Sequence, residues 1–167
     1  MHSYYKYTDT DGTIVLYELN QEYYCIRAIC VTSSIILNTA FINETSSFFL
    51  PEGSFSEQLK ELSVTTKDEF LSFWSISTSQ YLNAWNRLKT KFQINQCIDS
   101  EIVCFYPQWV IVQYSEIFFG FVNYKDCEFI LGSENMYPQQ KIKLYVQNFD
   151  DQNLWINFSI NAQDQHV

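Results

Sequence analysis

The hydrophobic and polar positions of the chain form strand-like runs at both ends and one helical pattern between them. Four runs rich in β-branched and aromatic residues occupy residues 4–7, 13–19, 23–31 and 35–42, and polar turns separate them. Asp11-Gly12, between the first two runs, favours a tight hairpin turn. We therefore expect an antiparallel β-meander over residues 1–62, with a further short strand at 48–50 and a brief helical turn at 57–62.

The segment 63–92 has the periodicity of an amphipathic helix. Thr66 followed by Glu69 fits a capping box and predicts the helix start. The residues between 75 and 79 include serine and threonine, which are weak helix formers, so a kink or break is expected there. The apolar residues recur every three, four or seven positions, which predicts one long helix with an apolar face for core packing: Phe70, Phe73, Trp74, Tyr81, Trp85, Leu88 and Phe92.

Five strand-like runs follow, at residues 96–106, 109–114, 118–123, 141–148 and 153–160, with a helical connection at 124–137. No Gly-rich or Pro-rich linker separates them from the helix, so we expect a rigid chain with regions 1–62, 63–92 and 93–167. The fold class predicted is α+β: an antiparallel meander, one long amphipathic helix and a C-terminal five-stranded barrel.

The last region resembles the S1 domain, a type of OB fold. Phe119-Gly120-Phe121-Val122 matches the Gly-aromatic-Val third strand of that family, and Asp150-Asp151-Gln152-Asn153 matches its last turn. The sequence departs from the family at Tyr106-Pro107-Gln108-Trp109, where glycine is usual. The resemblance implies a five-stranded S1-like barrel and, by position, base stacking by Trp109, Phe118 and Phe121. The same aromatic residues could instead fill the small barrel.

The charge of the chain opposes the ligand that the S1 resemblance implies. The net charge is −9, and residues 93–167 carry three lysines against nine acidic residues, a local net charge of −6. A phosphate backbone would be repelled by such a surface. One alternative stays open, because residues 63–92 have a local net charge of +2, and a basic patch there could hold RNA: Lys67, Arg87, Lys89 and Lys91.

Residue types that carry catalysis are sparse. The two histidines, His2 and His166, lie at the chain ends, and the chain has neither a P-loop nor a G-x-G-x-x-G motif. The five cysteines include no C-x-x-C pair and sit mostly in apolar runs, which indicates reduced thiols in the cytoplasm. No signal peptide or apolar stretch long enough to span a bilayer is seen. We expect no enzyme activity, cofactor, metal site or membrane partner.

The whole chain resembles a small bacterial immunity protein of a toxin–immunity pair, of the contact-dependent growth inhibition type, in size, acidity, aromatic content and lack of catalytic residues. The resemblance implies a cytoplasmic toxin inhibitor that binds a basic toxin domain, such as a nuclease, and covers its active site by complementary charge. The alternative function is S1-type RNA binding in translation or RNA turnover. The candidate partner-binding residues are Glu116, Asp126, Glu128, Glu134, Asp150 and Asp151, with Trp109 and Tyr137 as aromatic anchors. A rival acidic surface comprises Asp9, Asp11, Glu18 and Glu22.

Overall fold

The computed structural model describes residues 2–41, 48–106 and 108–165. The chain divides into two compact units, residues 1–81 and 82–167. The first unit contains an antiparallel sheet and one helix, and the second contains two helices and a closed five-stranded barrel. This architecture confirms the predicted α+β fold class.

The sheet of the first unit is the predicted meander with one added strand. Strands β1 (Ser3–Thr8), β2 (Ile14–Leu19), β3 (Cys25–Val31) and β4 (Ile36–Asn38) pair in chain order. A fifth strand, β5 (Ser63–Val64), pairs antiparallel with β1 at the other edge. The turn between β1 and β2 is the expected hairpin turn: Gly12 has φ +86° and its N–H donates to the Asp9 carbonyl oxygen at 3.1 Å.

Three details of the prediction for this unit change. Residues 48–50 form no strand, so that prediction is wrong. The predicted strand over 35–42 is shorter, since β4 ends at Asn38, and residue 42 lies outside the described residues. The helical turn expected at 57–62 is present as a 3-10 turn over Gln58–Glu61.

The helix of the first unit, α1 (Lys67–Ser79), begins at the predicted cap. The Thr66 hydroxyl accepts a hydrogen bond from the Glu69 N–H at 3.1 Å. The Glu69 carboxylate does not complete the capping box, because it accepts from the Thr65 hydroxyl and from Lys6 instead. Near the helix end, the Thr78 hydroxyl donates to the Trp74 carbonyl oxygen at 2.9 Å, a bond that often bends or weakens a helix.

A separate helix, α2 (Leu82–Lys89), belongs to the second unit. The single long helix predicted over 63–92 is therefore two helices. The break falls at residues 80 and 81, just after the run of serine and threonine that indicated it.

A buried ion pair lies in the core of the first unit. Glu18, which is 2% exposed, faces Arg27 across β2 and β3 and accepts a hydrogen bond from it. The Arg27 guanidinium lies over the rings of Phe70 and Trp74, at 5.1 and 4.9 Å from their centroids. Glu18 was expected on a rival acidic surface for a partner, and its burial makes that prediction wrong.

Burial acts to raise the pKa of Glu18, but three hydrogen bonds outweigh it and leave the pKa below its ordinary value. Arg27 contributes most to this lowering, followed by the Tyr4 hydroxyl and the His2 ring. The oxygen atoms of the carboxylate lie 2.8 Å from the Tyr4 hydroxyl and 2.9 Å from His2 Nδ1. The ionised carboxylate is thus an integral part of the folded first unit.

The second unit is an OB-like barrel. Its strands are β6 (Cys97–Phe105), β7 (Trp109–Gln113), β8 (Phe119–Asn123), β9 (Lys141–Asp150) and β10 (Trp155–Ile160). They close in the order β10-β8-β7-β6-β9, with β8 and β10 parallel and every other pair antiparallel. Buried side chains two positions apart on these strands fill the barrel: Val110, Val112, Leu144, Val146, Ile156 and Phe158.

The third helix, α3 (Tyr124–Leu131), connects β8 to β9 as the predicted helical connection. The Asn123 side chain caps it by accepting from the N–H groups of Lys125 and Asp126. Cys127 and Leu131, four residues apart, form its buried face. In the part of the chain that the structure describes, no helix is long and apolar enough to cross a membrane.

Candidate functional site

An aromatic cluster lies on the outer face of the barrel at strands β7, β8 and β10. The register pairs Ile111 with Phe121, and side chains alternate along a strand, so Trp109 and Phe121 face the same side. Their ring centroids are 5.4 Å apart, and the Trp155 ring lies 6.5 Å from Trp109 and 6.0 Å from Phe121. Trp109 and Phe121 are partly exposed, whereas Trp155 is buried.

The strands that carry this cluster bear no charged residue. Strands β7 and β8 correspond to the face that binds oligonucleotides in many OB folds. Those strands themselves therefore add no negative charge, although Asp150 of β9 is the cross-strand partner of Trp155. Sequence reasoning found Trp109 and Phe121 but missed Trp155, whose alternation with the buried Ile156 could have placed it beside them.

Phe118 does not join the cluster. It is 3% exposed and packs against Trp85, with ring centroids 5.5 Å apart. Base stacking requires an exposed ring face, so the predicted stacking role of Phe118 is not available in this structure. Its contact with Trp85 fixes α2 to the barrel instead.

The predicted basic patch is divided between the two units: Lys67 belongs to the first and the other three cations belong to the second. Lys89 forms an ion pair with Asp151, which leaves Arg87 and Lys91 as the cations of the second unit's part of the patch without an ion pair among the described residues. The positive charges of the two barrel lysines are offset by acidic cross-strand partners, since Lys143 faces Asp99 and Lys141 faces Glu101 across β6 and β9.

Asp150 and Asp151, predicted to bind a partner, both have roles within the second unit. The Asp150 carboxylate accepts hydrogen bonds from the N–H groups of Gln152 and Asn153, at 2.9 and 3.1 Å, and shapes the turn before β10. Asp151 Oδ1 accepts from Trp85 Nε1 at 2.7 Å and from Lys89. The hydrogen bond from Lys89 is the main reason why the pKa of Asp151 lies below its ordinary value.

Other predicted residues are brought together on one surface. We call it the α3 surface, and we define it by five exposed side chains of α3 and of the segment after it, which lie beside the exposed Lys125 of the same helix: Asp126, Glu128, Phe129, Glu134 and Tyr137. Phe129 is 90% exposed. Among the described residues, the carboxylates of Asp126, Glu128 and Glu134 form no ion pair.

Phe129 was missed by sequence reasoning, although a signal for it exists. Cys127 and Leu131 define the buried face of α3, and a residue midway between them points away from that face. Cys127 is 0% exposed and Leu131 is 5% exposed, and burial raises the pKa of the Cys127 thiol to about 12. The aromatic ring of Phe129 is accordingly presented to solvent, on the side of α3 that also carries Asp126 and Lys125.

Two predicted residues are not members of the α3 surface. Glu116 is in the turn between β7 and β8, next to the exposed Ile117. Trp109 begins β7 opposite Asn123, which caps α3, so it lies near the start of that helix. The eight predicted partner-binding residues therefore fall at four places, of which only the α3 surface gathers several. Within the described residues, no group of three His, Cys, Asp or Glu side chains is arranged to hold a metal ion.

Comparisons with known proteins identify no family. No family model matches the chain, and no curated protein matches it. Among solved structures, an uncharacterized protein from Methanocaldococcus jannaschii is similar over 42% of this chain and 93% of its own, at 12% identity and a TM-score of 0.35. A multidomain protein with nucleic acid binding domains from Streptococcus pneumoniae is similar over 100% of this chain and 53% of its own, at 8% identity and a TM-score of 0.31. Similarities this low do not indicate what the chain binds.

Proposed function

We propose that the protein is a non-catalytic binding protein that docks a basic protein partner on the α3 surface. The observation that carries this proposal is Phe129, 90% exposed on α3, where the spacing of the helix places Asp126 and Lys125 on its side and the exposed Glu128 is next in sequence. Burying such a ring against a partner would contribute about 1.5–3 kcal/mol. Exposed aromatic side chains that become buried are the usual anchors of protein interfaces.

The charge around Phe129 selects the class of partner. Residues 124–137 contain three acidic side chains and one lysine, Lys125. Carboxylates without an internal partner can pair with lysine or arginine of another protein, accelerate its association and disfavour acidic partners. An arginine of the partner could also lie over the Phe129 ring. These features support a basic surface with an apolar pocket as the complement.

The partner that we propose is a bacterial toxin domain, which the α3 surface would neutralise by covering a basic active-site cleft. The resemblance of the whole chain to immunity proteins in size, acidity and aromatic content supports this choice. A nuclease is the kind of toxin that fits, because its cleft must be basic to hold nucleic acid. Asp126 and Glu128 would then occupy the place of substrate phosphates.

The test is affinity capture from the native host with surface variants. We expect the wild-type protein to retain one basic protein in stoichiometric amount, and Phe129→Ala and the double variant Asp126→Asn/Glu128→Gln to lose it. Ile76→Ala, which removes another exposed apolar side chain on α1, is the matched control and should retain the partner. Equal capture by all variants would refute docking on the α3 surface. A captured protein whose toxicity is unaffected by binding would refute neutralisation.

The aromatic cluster favours a second function, binding of single-stranded RNA across β7 and β8. Trp109 and Phe121 are partly exposed on strands without charged residues, so no carboxylate of those two strands would repel the phosphates of a bound strand. Stacking would contribute about 1–3 kcal/mol per base. Tryptophan fluorescence titration with oligouridine should then show quenching that Trp109→Ala abolishes. No quenching at low salt would remove this function.

A further inference from the structure

A groove of a different character lies between α2 and the turn that joins β7 to β8. One wall is formed by Ala84, Arg87 and Leu88, at the spacing of one face of α2, and by Lys91 in the turn after the helix, and residues 115–118 form the other wall. Its volume is about 400 Å³. We call it the α2 groove.

The opposite face of α2 holds this groove in shape. Trp85 is 1% exposed and its ring packs against Phe118 and Phe149, at centroid distances of 5.5 and 6.0 Å. The Trp85 indole N–H also donates to Asp151 at 2.7 Å. Because α2 is fixed to the barrel by these contacts, a ligand would meet a preformed groove and lose little free energy in ordering it.

The groove is lined by apolar side chains and by two cations on its helical side. Ala84 and Leu88 are half-buried, and Ile117 is 46% exposed. Arg87 and Lys91 are exposed and make no ion pair among the described residues, while Glu116 on the opposite wall is the one acidic residue of the lining. In a chain of net charge −9, two cations flanking an apolar floor mark a place for an acidic ligand.

We propose that the α2 groove binds an acidic amphipathic peptide segment of a partner protein. A leucine-type side chain of the segment would cover Leu88 and Ile117. Two carboxylates would pair with Arg87, on the last turn of α2, and with Lys91, in the turn that follows the helix, whose N–H donates to the Leu88 carbonyl oxygen at 2.9 Å. RNA is the less suitable occupant, because the only aromatic ring of the lining, Phe118, is buried and offers no face for stacking a base.

This inference goes beyond the proposed function and is independent of it. The α3 surface takes a basic partner, whereas the α2 groove takes an acidic one, so loss of one interaction leaves the other unchanged. The two surfaces also contain no residue in common. A protein with both could hold two partners of opposite charge.

The test uses a fluorescein-labelled helical peptide with glutamates four residues apart beside a pair of leucines, and fluorescence anisotropy at low and physiological salt. We expect saturable binding that the double variant Arg87→Glu/Lys91→Glu weakens at least about tenfold, which is about 1.4 kcal/mol. Lys125→Glu makes the same kind of substitution, a cation to glutamate, on α3 outside the groove. This variant should bind the peptide as tightly as the wild type does. A peptide with lysine in place of glutamate should prefer the double variant.

Amide chemical shifts locate the peptide. Circular dichroism first confirms that the double variant is folded, which is expected because both side chains are exposed. We expect perturbations along α2 and residues 115–118. Perturbations confined to another surface, equal affinity of the double variant, no binding up to about 1 mM, or displacement of the peptide by oligouridine would overturn the proposal.

Discussion

Asp151 was predicted to bind a partner, but the structure gives it a role in stability, because it accepts hydrogen bonds from Trp85 and Lys89. Replacing it with alanine removes the acceptor of the Trp85 indole N–H, which belongs to a side chain that is 1% exposed. A buried donor left wholly unsatisfied costs about 1–3 kcal/mol, and because the Asp151 side chain is 67% exposed, water can enter its place and keep this cost toward the lower end of that range. The ion pair with Lys89 adds less than about 1 kcal/mol, because the Asp151 carboxylate is largely exposed. We expect Asp151→Ala to destabilise the protein by about 2 kcal/mol.

The assay is urea unfolding followed by tryptophan fluorescence and far-UV circular dichroism. Asp151→Asn keeps an oxygen acceptor for Trp85 and loses only the charge, so it should cost clearly less than Asp151→Ala. Asp126→Asn, which changes a carboxylate without an internal partner, should stay within about 0.5 kcal/mol of the wild type. If Asp151→Ala is as stable as Asp126→Asn, the structural role of Asp151 is refuted and its role in partner binding regains support.

Three further outcomes are expected. Gly120→Ala should destabilise the barrel by about 1–3 kcal/mol in urea unfolding, because its Cβ would lie 2.6 Å from a backbone carbonyl oxygen of β10. Gly53→Ala is the control and should have little effect, since a Cβ there would have no atom within 4 Å. Equal effects would contradict the register between β8 and β10. Glu18 has a lowered pKa in the folded protein, so its ionised form adds stability above the unfolded pKa of about 4.3 that is lost as pH falls. Glu18→Gln should therefore lose less stability than the wild type as the pH falls from about 5 to about 3, the range below the unfolded pKa, and an identical loss would refute the effect. Iodoacetamide at about pH 8 should modify the exposed Cys97 and spare the buried Cys127, as mass spectrometry would show; rapid modification of Cys127 would contradict its burial.

The fold was largely predictable because local signals and the barrel pattern agreed. Thr66 caps α1 as expected, and Gly12 takes the positive φ that a hairpin turn demands. All five barrel strands lie within about two residues of their predicted bounds. The β5 strand could not be predicted, because two residues carry no periodicity and Ser63–Val64 pair with β1 only through the tertiary structure.

The candidate site was less predictable, since exposure depends on packing rather than on residue type. The sequence marks Asp126 and Asp151 equally as acidic, but only the structure shows that Asp151 is bonded to Trp85 and Lys89. Glu18 has the same chemistry and is buried against Arg27. A carboxylate is available to a partner only if it is exposed and not bonded to a residue of its own chain. Strand register and helix placement decide which carboxylates are bonded internally.

The distribution of charge over the barrel, rather than its net charge, determines where nucleic acid would be repelled. The local net charge of −6 is an average over residues 93–167, and the barrel lysines are matched by Asp99 and Glu101 across β6 and β9. Strands β7, β8 and β10 carry no charge, whereas Asp126 and Glu128 concentrate free negative charge on α3. At physiological ionic strength exposed charges are screened beyond about 8 Å, so each surface is governed by its own charges. The acidity of residues 93–167 therefore bears on the proposed partner at the α3 surface, whereas the proposed stacking of bases on Trp109 and Phe121 depends on the charges near those two rings.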